Sequence, residues 1–246
     1  MKNEKILLII PAYNEEENIL KTYNTIINYN KKNKTKYDVI VINDGSKDNT
    51  KKILEENDIP HINLVHNLGI GGAVQTGYKY AYYHDYDIAV QFDGDGQHDI
   101  RYVKDIIEPI ISKKADMVIG SRFIDKSTST FKSSKSRRIG INLISFFIKL
   151  VTGKKIYDTT SGFRAIDRNL INIFSLDYPV EYPEPVSSTK ILKKGYKIQE
   201  IAVSMNERTG GISSIGKLWK QAYYMFNVIL SIILVAQGSD RKWVLI

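Results

Sequence analysis

The sequence predicts an α/β protein with a mostly parallel central sheet and helices on both faces. Two observations carry this prediction. Along the N-terminal part of the chain, short apolar runs alternate with amphipathic stretches, which is the pattern of strands connected by helices. In addition, polar clusters directly follow the apolar runs, as expected where loops leave the carboxyl ends of parallel strands.

The same patterns place the predicted elements in order. Strands are predicted at residues 5–12, 37–43, 61–65, 87–92, 116–121 and 197–204. Helices are predicted at residues 14–30, 48–56, 73–84, 139–151 and 217–237. The first helix is expected to begin at Asn14, because Glu17 three residues later gives a sequence close to a capping box.

Composition excludes several classes of protein. The chain has 246 residues, with Lys+Arg 35 and Asp+Glu 27, so its formal net charge is +8. Hydrophobic residues at 43% and charged residues at 25% exclude a disordered or collagen-like chain. Cysteine is absent, which excludes disulfide frameworks, zinc–thiolate sites and thiol nucleophiles. The apolar tracts are too short for a signal peptide or a bilayer span, so we expect an unexported protein that does not cross a membrane alone.

Asp93 and Asp95 follow a predicted strand and are separated by one glycine. Two such carboxylates can face one Mg²⁺ or Mn²⁺ ion together with a diphosphate, although Asp-Gly-Asp is also a common turn sequence. The carboxyl ends of parallel strands meet at one edge of a sheet. We therefore expect six polar or small residues to converge there, namely Tyr13, Asn14, Asp44, Gly71, Asp93 and Asp95.

Four sequence blocks occur in a characteristic order and spacing, namely Pro11-Ala12-Tyr13-Asn14-Glu15, Asn43-Asp44-Gly45-Ser46, Asn67-Leu68-Gly69 and Asp93-Gly94-Asp95-Gly96-Gln97-His98. Through these blocks the chain resembles family 2 glycosyltransferases with the GT-A fold. Later blocks, among them Gly120–Phe123, Thr160–Arg164, Tyr182–Pro185 and Asn206–Gly211, resemble the branch of dolichol-phosphate mannose synthases and bacterial polyprenyl-phosphate glycosyltransferases. The resemblance covers roughly residues 5–216.

The resemblance implies a role for each matching residue. Donor nucleotide binding is assigned to Pro11, Ala12, Tyr13, Glu15, Asp44, Gly71, Asp93 and Gly94. Asp95 is the direct ligand of Mg²⁺ or Mn²⁺, Asp93 lies near the metal and the ribose, and Gln97 is a further candidate ligand. The metal would neutralise the departing diphosphate.

A second set of residues is implied at the acceptor. Arg122, Arg137 and Arg138 are assigned to phosphate binding, and Arg208 to the catalytic set, because guanidinium groups bind phosphates and stay charged. Arg164 is interpreted as a structural ion-pair partner. An acceptor phosphate needs little help from a base, whereas a hydroxyl acceptor would need one.

Asp158 and Glu184 are the candidates for a general base in the catalytic set. Glu184 can equally cap a helix. Many relatives have a further carboxylate two positions later, where Val186 stands in this chain. The four histidines show no metal-ligand spacing, and surface or turn roles are expected for them.

The C-terminal part of the chain suggests membrane attachment. Residues 126–155 carry eight basic residues and no acidic one, and they flank the apolar helical segment at 139–151. Residues 217–246 form a predicted amphipathic extension to a catalytic domain at 1–216. For this extension we favour binding to a membrane or partner protein, with packing in the core or a dimer as the alternative.

Together these features predict a metal-dependent inverting glycosyltransferase. It would transfer a sugar from a nucleotide-sugar donor, UDP favoured over GDP, to a polyprenyl phosphate at the cytoplasmic, inner face of the membrane. A hydroxyl acceptor in polysaccharide or glycolipid synthesis and a non-catalytic GT-A scaffold are the alternatives. A small integral membrane partner and a homo-oligomer remain open, and nucleic acid is not expected because the predicted crevice is acidic.

Overall fold

The computed structural model describes residues 4–124, 135–205 and 218–238, without the side chains of residues 135–137 and 218–222. The strands are β1 (Ile6–Ala12), β2 (Tyr37–Asn43), β3 (His61–Asn63), β4 (Ile88–Gln91), β5 (Met117–Ser121), β6 (Arg164–Asp167) and β7 (Ile198–Ala202). The helices are α1 (Ile19–Asn33), α2 (Thr50–Glu56), α3 (Gly69–Tyr83), α4 (Val103–Ile111), α5 (Lys135–Thr152), α6 (Arg168–Leu176), α7 (Pro183–Lys193) and α8 (Leu218–Ala236).

The strands form one mostly parallel sheet, which confirms the predicted fold class. Their order is β3-β2-β1-β4-β6-β5-β7. Strand β6 is antiparallel to both of its neighbours, and the other pairs are parallel. Ala12 pairs with Asn43 and Ile9 pairs with Gln91, so β1, β2 and β4 end at the same edge of the sheet.

Alternate side chains of β1 enter two hydrophobic cores, one on each face of the sheet. Leu8 and Ile10 pack in the core that also contains side chains of α1 and α4. Leu7 and Ile9 pack in the other core, which α3 and α6 cover. Because both faces are buried, β1 is a continuous apolar run, and this is what makes the strand recognisable in the sequence.

Helix α8 packs against α5 and α7 over the second of these cores. Val228 and Ile232 are fully buried there, and the ring of Tyr224 meets that of Tyr182 edge to face at 4.9 Å. One face of α8 therefore packs in the core. None of the described helices combines the length and the hydropathy that a bilayer crossing needs. The predicted domain boundary at residue 216 lies outside the described residues.

The structure corrects the sequence-based elements in two respects. It contains α4, β6, α6 and α7, which the apolar pattern did not predict as elements. In addition, α1 begins at Ile19 rather than at Asn14, and α3 and α5 begin at Gly69 and Lys135, each four residues before its predicted start. The backbone of Asn14 has a φ of 55°, and its side chain accepts a hydrogen bond from the N–H of Lys47 instead of capping a helix.

Candidate active site

A cavity of about 500 Å³ opens at the edge of the sheet where β1, β2 and β4 end. The sequence-predicted site residues that line it are Pro11, Ala12, Tyr13, Glu15, Asp44, Asp93, Gly94, Asp95 and Glu184. The structure therefore brings together most of the predicted donor residues and the carboxylate pair. It does not place Asn14, Gly71, Gln97, Asp158, Arg122 or Arg138 in the lining of this cavity.

The loop after β1 is held by the loop after β2. The backbone N–H of Asn14 donates to Ser46 Oγ at 2.9 Å, and the N–H of Glu15 donates to Thr50 Oγ1 at 2.9 Å. In return, the Asn14 side chain accepts from Lys47. These reciprocal bonds fix the backbone at Asn14 and Glu15, next to the side chains of Tyr13 and Glu15 that line the cavity.

Asp44 is a buried carboxylate at the end of β2. Its Oδ1 accepts a hydrogen bond of 2.7 Å from the N–H of Leu68, which ties the turn before α3 to β2. Burial raises the pKa of Asp44, while the backbone N–H groups of Leu68 and Gly69 act in the opposite direction. Asp44 thus shapes the cavity wall as well as presenting carboxylate oxygen to it.

Gly71 was expected to bind the donor, but the structure gives another reason for a glycine at this position. A Cβ there would lie 2.4 Å from the carbonyl oxygens of Pro179 and Val180. The close approach of α3 to this segment therefore requires Gly71, and its neighbours Gly69 and Ile70 line the cavity instead.

His98 holds Asp93 in place. Its Nδ1 accepts a hydrogen bond of 2.9 Å from the backbone N–H of Asp93, and its Nε2 lies 3.3 Å from Asp93 Oδ2. The imidazole is buried and stacks on the ring of Phe163. Burial lowers the pKa of His98, against the opposite influence of Asp93 and Asp95. His98 lies in the loop after β4 but is buried, so a surface position is wrong for this histidine, whereas a role in the turn fits it.

The carboxylates of Asp93 and Asp95 provide oxygen ligands only. Oδ1 of Asp95 accepts a hydrogen bond of 3.0 Å from the N–H of Gln97, which shapes the loop after β4. Within residues 4–124, 135–205 and 218–238, no three His, Asp or Glu side chains are grouped so that they could hold a metal ion. A pair of carboxylates nevertheless fits Mg²⁺ or Mn²⁺, because hard cations at such sites take the remaining ligands from phosphate and water.

Asp158 and Arg122 form a buried bidentate ion pair. The guanidinium donates from Nε to Oδ2 and from Nη2 to Oδ1, both at 2.8 Å, and the N–H of Arg122 donates to Oδ2 as well. Asp158 is fully buried and lies outside the cavity lining. Both of its oxygens are thus occupied, which favours a positioning role over the role of general base. Arg122 Nη2 also reaches Thr160, which does line the cavity.

The structure describes only some of the remaining arginines that are predicted to bind phosphate. The guanidinium carbon of Arg138 lies 4.0 Å from the ring centroid of Phe123, and that of Arg122 lies 5.2 Å from the same ring. Two of the predicted phosphate-binding arginines therefore meet at one aromatic side chain. Arg208 and the side chain of Arg137 lie outside the described residues.

The cavity lining contains a buried polar residue, Gln91, that sequence reasoning missed. Gln91, the last residue of β4, lines the cavity together with Glu184 from the first turn of α7. Burial raises the pKa of Glu184, and the guanidinium of Arg164 acts in the opposite direction. Arg164 is fully buried and binds the carbonyl of Glu184 through Nη1 at 2.8 Å. Arg164 therefore has structural contacts, but they are with carbonyl and hydroxyl oxygens rather than in the expected ion pair. A polar residue in an otherwise apolar strand was the available signal for Gln91.

Comparison with known proteins agrees with this geometry. The family model described as glycosyl transferase family 2 matches residues 7–174. The chain belongs to glycosyl transferase family 2. It is therefore a glycosyltransferase, and the branch of dolichyl- and polyprenyl-phosphate enzymes inferred from the motifs is confirmed by its relatives.

One relative of this glycosyltransferase is the UDP-N-acetylglucosamine–dolichyl-phosphate N-acetylglucosaminyltransferase of Methanococcus voltae, 35% identical over 80% of this chain and 83% of that protein. Another is a dolichyl-phosphate β-glucosyltransferase of Trichomonas vaginalis, 27% identical over 91% of this chain and 72% of that protein. The structure of glucosyl-3-phosphoglycerate synthase from Mycobacterium tuberculosis, bound to Mn²⁺ and UDP, is similar with a TM-score of 0.67 at 17% identity. It covers 98% of this chain and 82% of that chain, which shows the shared fold.

The buried ion pair leads to a prediction for Asp158→Asn. Removing one charge leaves the Arg122 guanidinium buried without its counter-ion, so we expect the free energy of unfolding to fall by about 3–5 kcal/mol in urea titrations. Asp85→Asn is the matched control, because Asp85 pairs with Arg168 at the surface. Loss of such a surface ion pair lowers the free energy of unfolding by at most about 1 kcal/mol.

The pH dependence of transfer separates positioning from base catalysis in the same variant. If Asp158 positions Arg122, the folded fraction of Asp158→Asn keeps the shape of the wild-type pH–rate profile. An unchanged stability together with loss of the acidic limb of that profile would instead identify Asp158 as the base.

Proposed function

We propose that this glycosyltransferase moves a sugar from a nucleoside diphosphate sugar, with UDP favoured over GDP, to a polyprenyl phosphate at the cytoplasmic face of the membrane. The observation that carries the proposal is the composition of one cavity. Ala12 and Asp44 lie at the ends of two neighbouring strands, and Asp93 and Asp95 follow a third. A pocket for a nucleoside beside two carboxylates suits a donor whose leaving group is a diphosphate.

The names of the related proteins support the choice of donor and acceptor. The Methanococcus voltae relative uses UDP-N-acetylglucosamine and dolichyl phosphate by name, and the Mycobacterium tuberculosis structure contains UDP. In this chain we assign the base of UDP to Asp44, the nucleoside to the backbone near Ala12 and Tyr13, and the ribose to Glu15. All four residues line the cavity.

A divalent cation, Mg²⁺ or Mn²⁺, belongs to this proposal. Asp95 would hold it directly, with Asp93 and Gln97 as further candidates. When bound, such an ion neutralises charge on the departing diphosphate. The contribution of the chain is to orient the carboxylates, and His98 does this for Asp93 through the two contacts described above.

The acceptor phosphate is assigned to the cluster of arginines. Arg122 is oriented by Asp158, and its guanidinium and that of Arg138 both lie close to the ring of Phe123. Arg137 and Arg208 complete the proposed set. Because a phosphate monoester is already ionised at neutral pH, this acceptor reacts without a strong general base, and the occupied carboxylate of Asp158 is compatible with that chemistry.

An exposed apolar surface supports a membrane-bound acceptor. On α5 the exposed side chains Ile139, Leu143, Phe146 and Leu150 recur at helical spacing, and on the adjacent α8 the exposed set is Tyr223, Phe226 and Leu230. Lys149, Lys154 and Lys155 are exposed at the end of α5. Apolar stripes beside lysines are typical of helices that lie in the interface of an anionic membrane.

The membrane surface is tested by flotation with vesicles that contain anionic phospholipid. We expect the double variant Phe146→Ser/Phe226→Ser to lose most of its vesicle-bound fraction, because it removes one exposed phenyl ring from each stripe. Val65→Ser/Leu176→Ser is the control, since these two side chains are more exposed but lie elsewhere. Equal binding of both variants and of the wild type would contradict the assignment.

The reaction is tested by supplying polyprenyl phosphate with a panel of labelled UDP- and GDP-sugars and Mg²⁺ or Mn²⁺. We expect label from a UDP-sugar to enter the organic phase, and Asp95→Asn to reduce this rate by about 10²-fold or more because charge on the leaving group is no longer offset. Asp99→Asn is the control for removing a carboxylate from the same loop. Asp99 caps the 3-10 turn at Ile100–Tyr102 and pairs with Arg101.

The same assay separates the alternative acceptor. A hydroxyl acceptor would leave the organic phase without label and would need a base, for which Glu184 is the carboxylate that the cavity offers. Transfer to a glycan that is abolished in Glu184→Gln would contradict the lipid phosphate proposal.

A further inference from the structure

Thr22 is a polar residue on the buried face of α1. The helix buries Ile19, Thr22 and Ile26, which recur at the spacing of one helical face. A hydroxyl group at such a position needs a hydrogen-bond partner, because a buried polar group without one is costly. The hydroxyls of Thr25 and Thr189 each donate to the carbonyl four residues earlier in their own helices, at 2.8 Å. Thr22 has a partner outside its helix.

The hydroxyl of Thr22 donates to the carbonyl oxygen of Gly94 at 3.0 Å, across 72 positions of the chain. Gly94 lies between Asp93 and Asp95, and its carbonyl belongs to the peptide bond that joins it to Asp95. The hydrogen bond therefore restrains the peptide plane directly before the Cα of Asp95. Since glycine restricts its backbone dihedrals less than any other residue does, a restraint from outside the loop has a large effect at this position.

Two further hydrogen bonds restrain the start and the end of the same loop. His98 Nδ1 accepts from the N–H of Asp93 at 2.9 Å, and the N–H of Gln97 donates to Oδ1 of Asp95 at 3.0 Å. Both of these bonds join residues of the loop to one another. The bond from Thr22 instead ties the middle of the loop to a different element, α1.

The loop is not packed against α1 along its whole length. A cavity of about 620 Å³ is lined by both elements, including Thr22 and Thr25 of the helix and Gly96 and His98 of the loop. Atoms that border such a space lose the contacts that close packing would provide. The orientation of the peptide at Gly94 therefore depends on the hydrogen bond from Thr22.

We propose that Thr22 is a positioning residue for the metal site. By holding the Gly94 peptide, its hydroxyl keeps the carboxylate of Asp95 directed towards the cavity that Asp95 lines with Asp93. Without this bond the loop adopts other orientations, and the apparent affinity for Mn²⁺ falls in proportion to the fraction of molecules that keep the binding orientation. This inference rests on the proposed function, because it takes the cation to be held by Asp95.

The test is a titration of Mn²⁺ into the protein with excess UDP, followed by the electron paramagnetic resonance signal of free Mn²⁺ and corrected by a titration of UDP alone. Thr22→Val removes the hydroxyl and keeps a side chain of similar size. We expect it to raise the Kd of Mn²⁺ about fivefold, which corresponds to the loss of one ordinary hydrogen bond. Thr22→Ser retains the hydroxyl, and we expect its Kd to lie within about twofold of the wild-type value.

Thr25→Val is the matched control. Thr25 lies on the same helix and lines the same cavity, but its hydroxyl bonds to the carbonyl of Lys21 within α1. We expect this variant to leave the Kd of Mn²⁺ within about twofold of the wild-type value. Thermal unfolding checks that the compared proteins are folded, and Thr22→Ala replaces Thr22→Val if valine is not tolerated at this position.

The outcomes separate the role of Thr22 from the metal site itself. An unchanged Kd in Thr22→Val, or an equal loss of affinity in Thr22→Ser or Thr25→Val, would overturn the role of the Thr22 hydroxyl and leave the metal site in place. A wild type whose UDP complex binds no Mn²⁺ would overturn the metal assignment of the proposed function, and the role of Thr22 with it.

Discussion

Parallel pairing of β1 with both β2 and β4 is the constraint on which the site depends. Since Ala12 lies beside Asn43 and Ile9 beside Gln91, the loops that carry Tyr13, Asp44 and Asp93 leave the sheet at one edge. A slip of one residue would turn every side chain of β1 to the opposite face and exchange the two cores. The pairing register that buries the apolar side chains of β1 therefore also sets the geometry of the cavity.

Buried charged residues fix the loops in the C-terminal half of the chain, where the pattern of apolar runs predicts fewer of the elements. Arg122 and Asp158 connect the end of β5 to the segment before β6, and Glu200 on β7 accepts hydrogen bonds from the N–H groups of Tyr157 and Asp158. Arg164 connects the start of β6 to α7. A buried ion pair adds little to the free energy of unfolding compared with apolar residues at the same positions. The contribution of the Arg122–Asp158 pair is therefore to fix the loops next to the cavity.

The sequence predicted the parallel strands and their polar ends because a strand buried on both faces is a visible apolar run. It missed β6, whose four residues begin with the fully buried Arg164, because a charged residue in a short strand masks the pattern. It also gave Asp158, with Glu184, as a candidate base for a hydroxyl acceptor, which stays a prediction. The partner of that carboxylate, Arg122, is 36 residues away, and such long-range pairing has no local signature. The motifs located the cavity, whereas packing decides which of their side chains face it.

We propose that the donor diphosphate and its cation lie between the ends of β1 and β4. An anomalous difference map from crystals grown with Mn²⁺ and UDP tests this directly. We expect a manganese peak about 2.1 Å from a carboxylate oxygen of Asp95, with the base of UDP against Asp44. A peak remote from Asp93 and Asp95, or UDP bound outside the cavity, would contradict it.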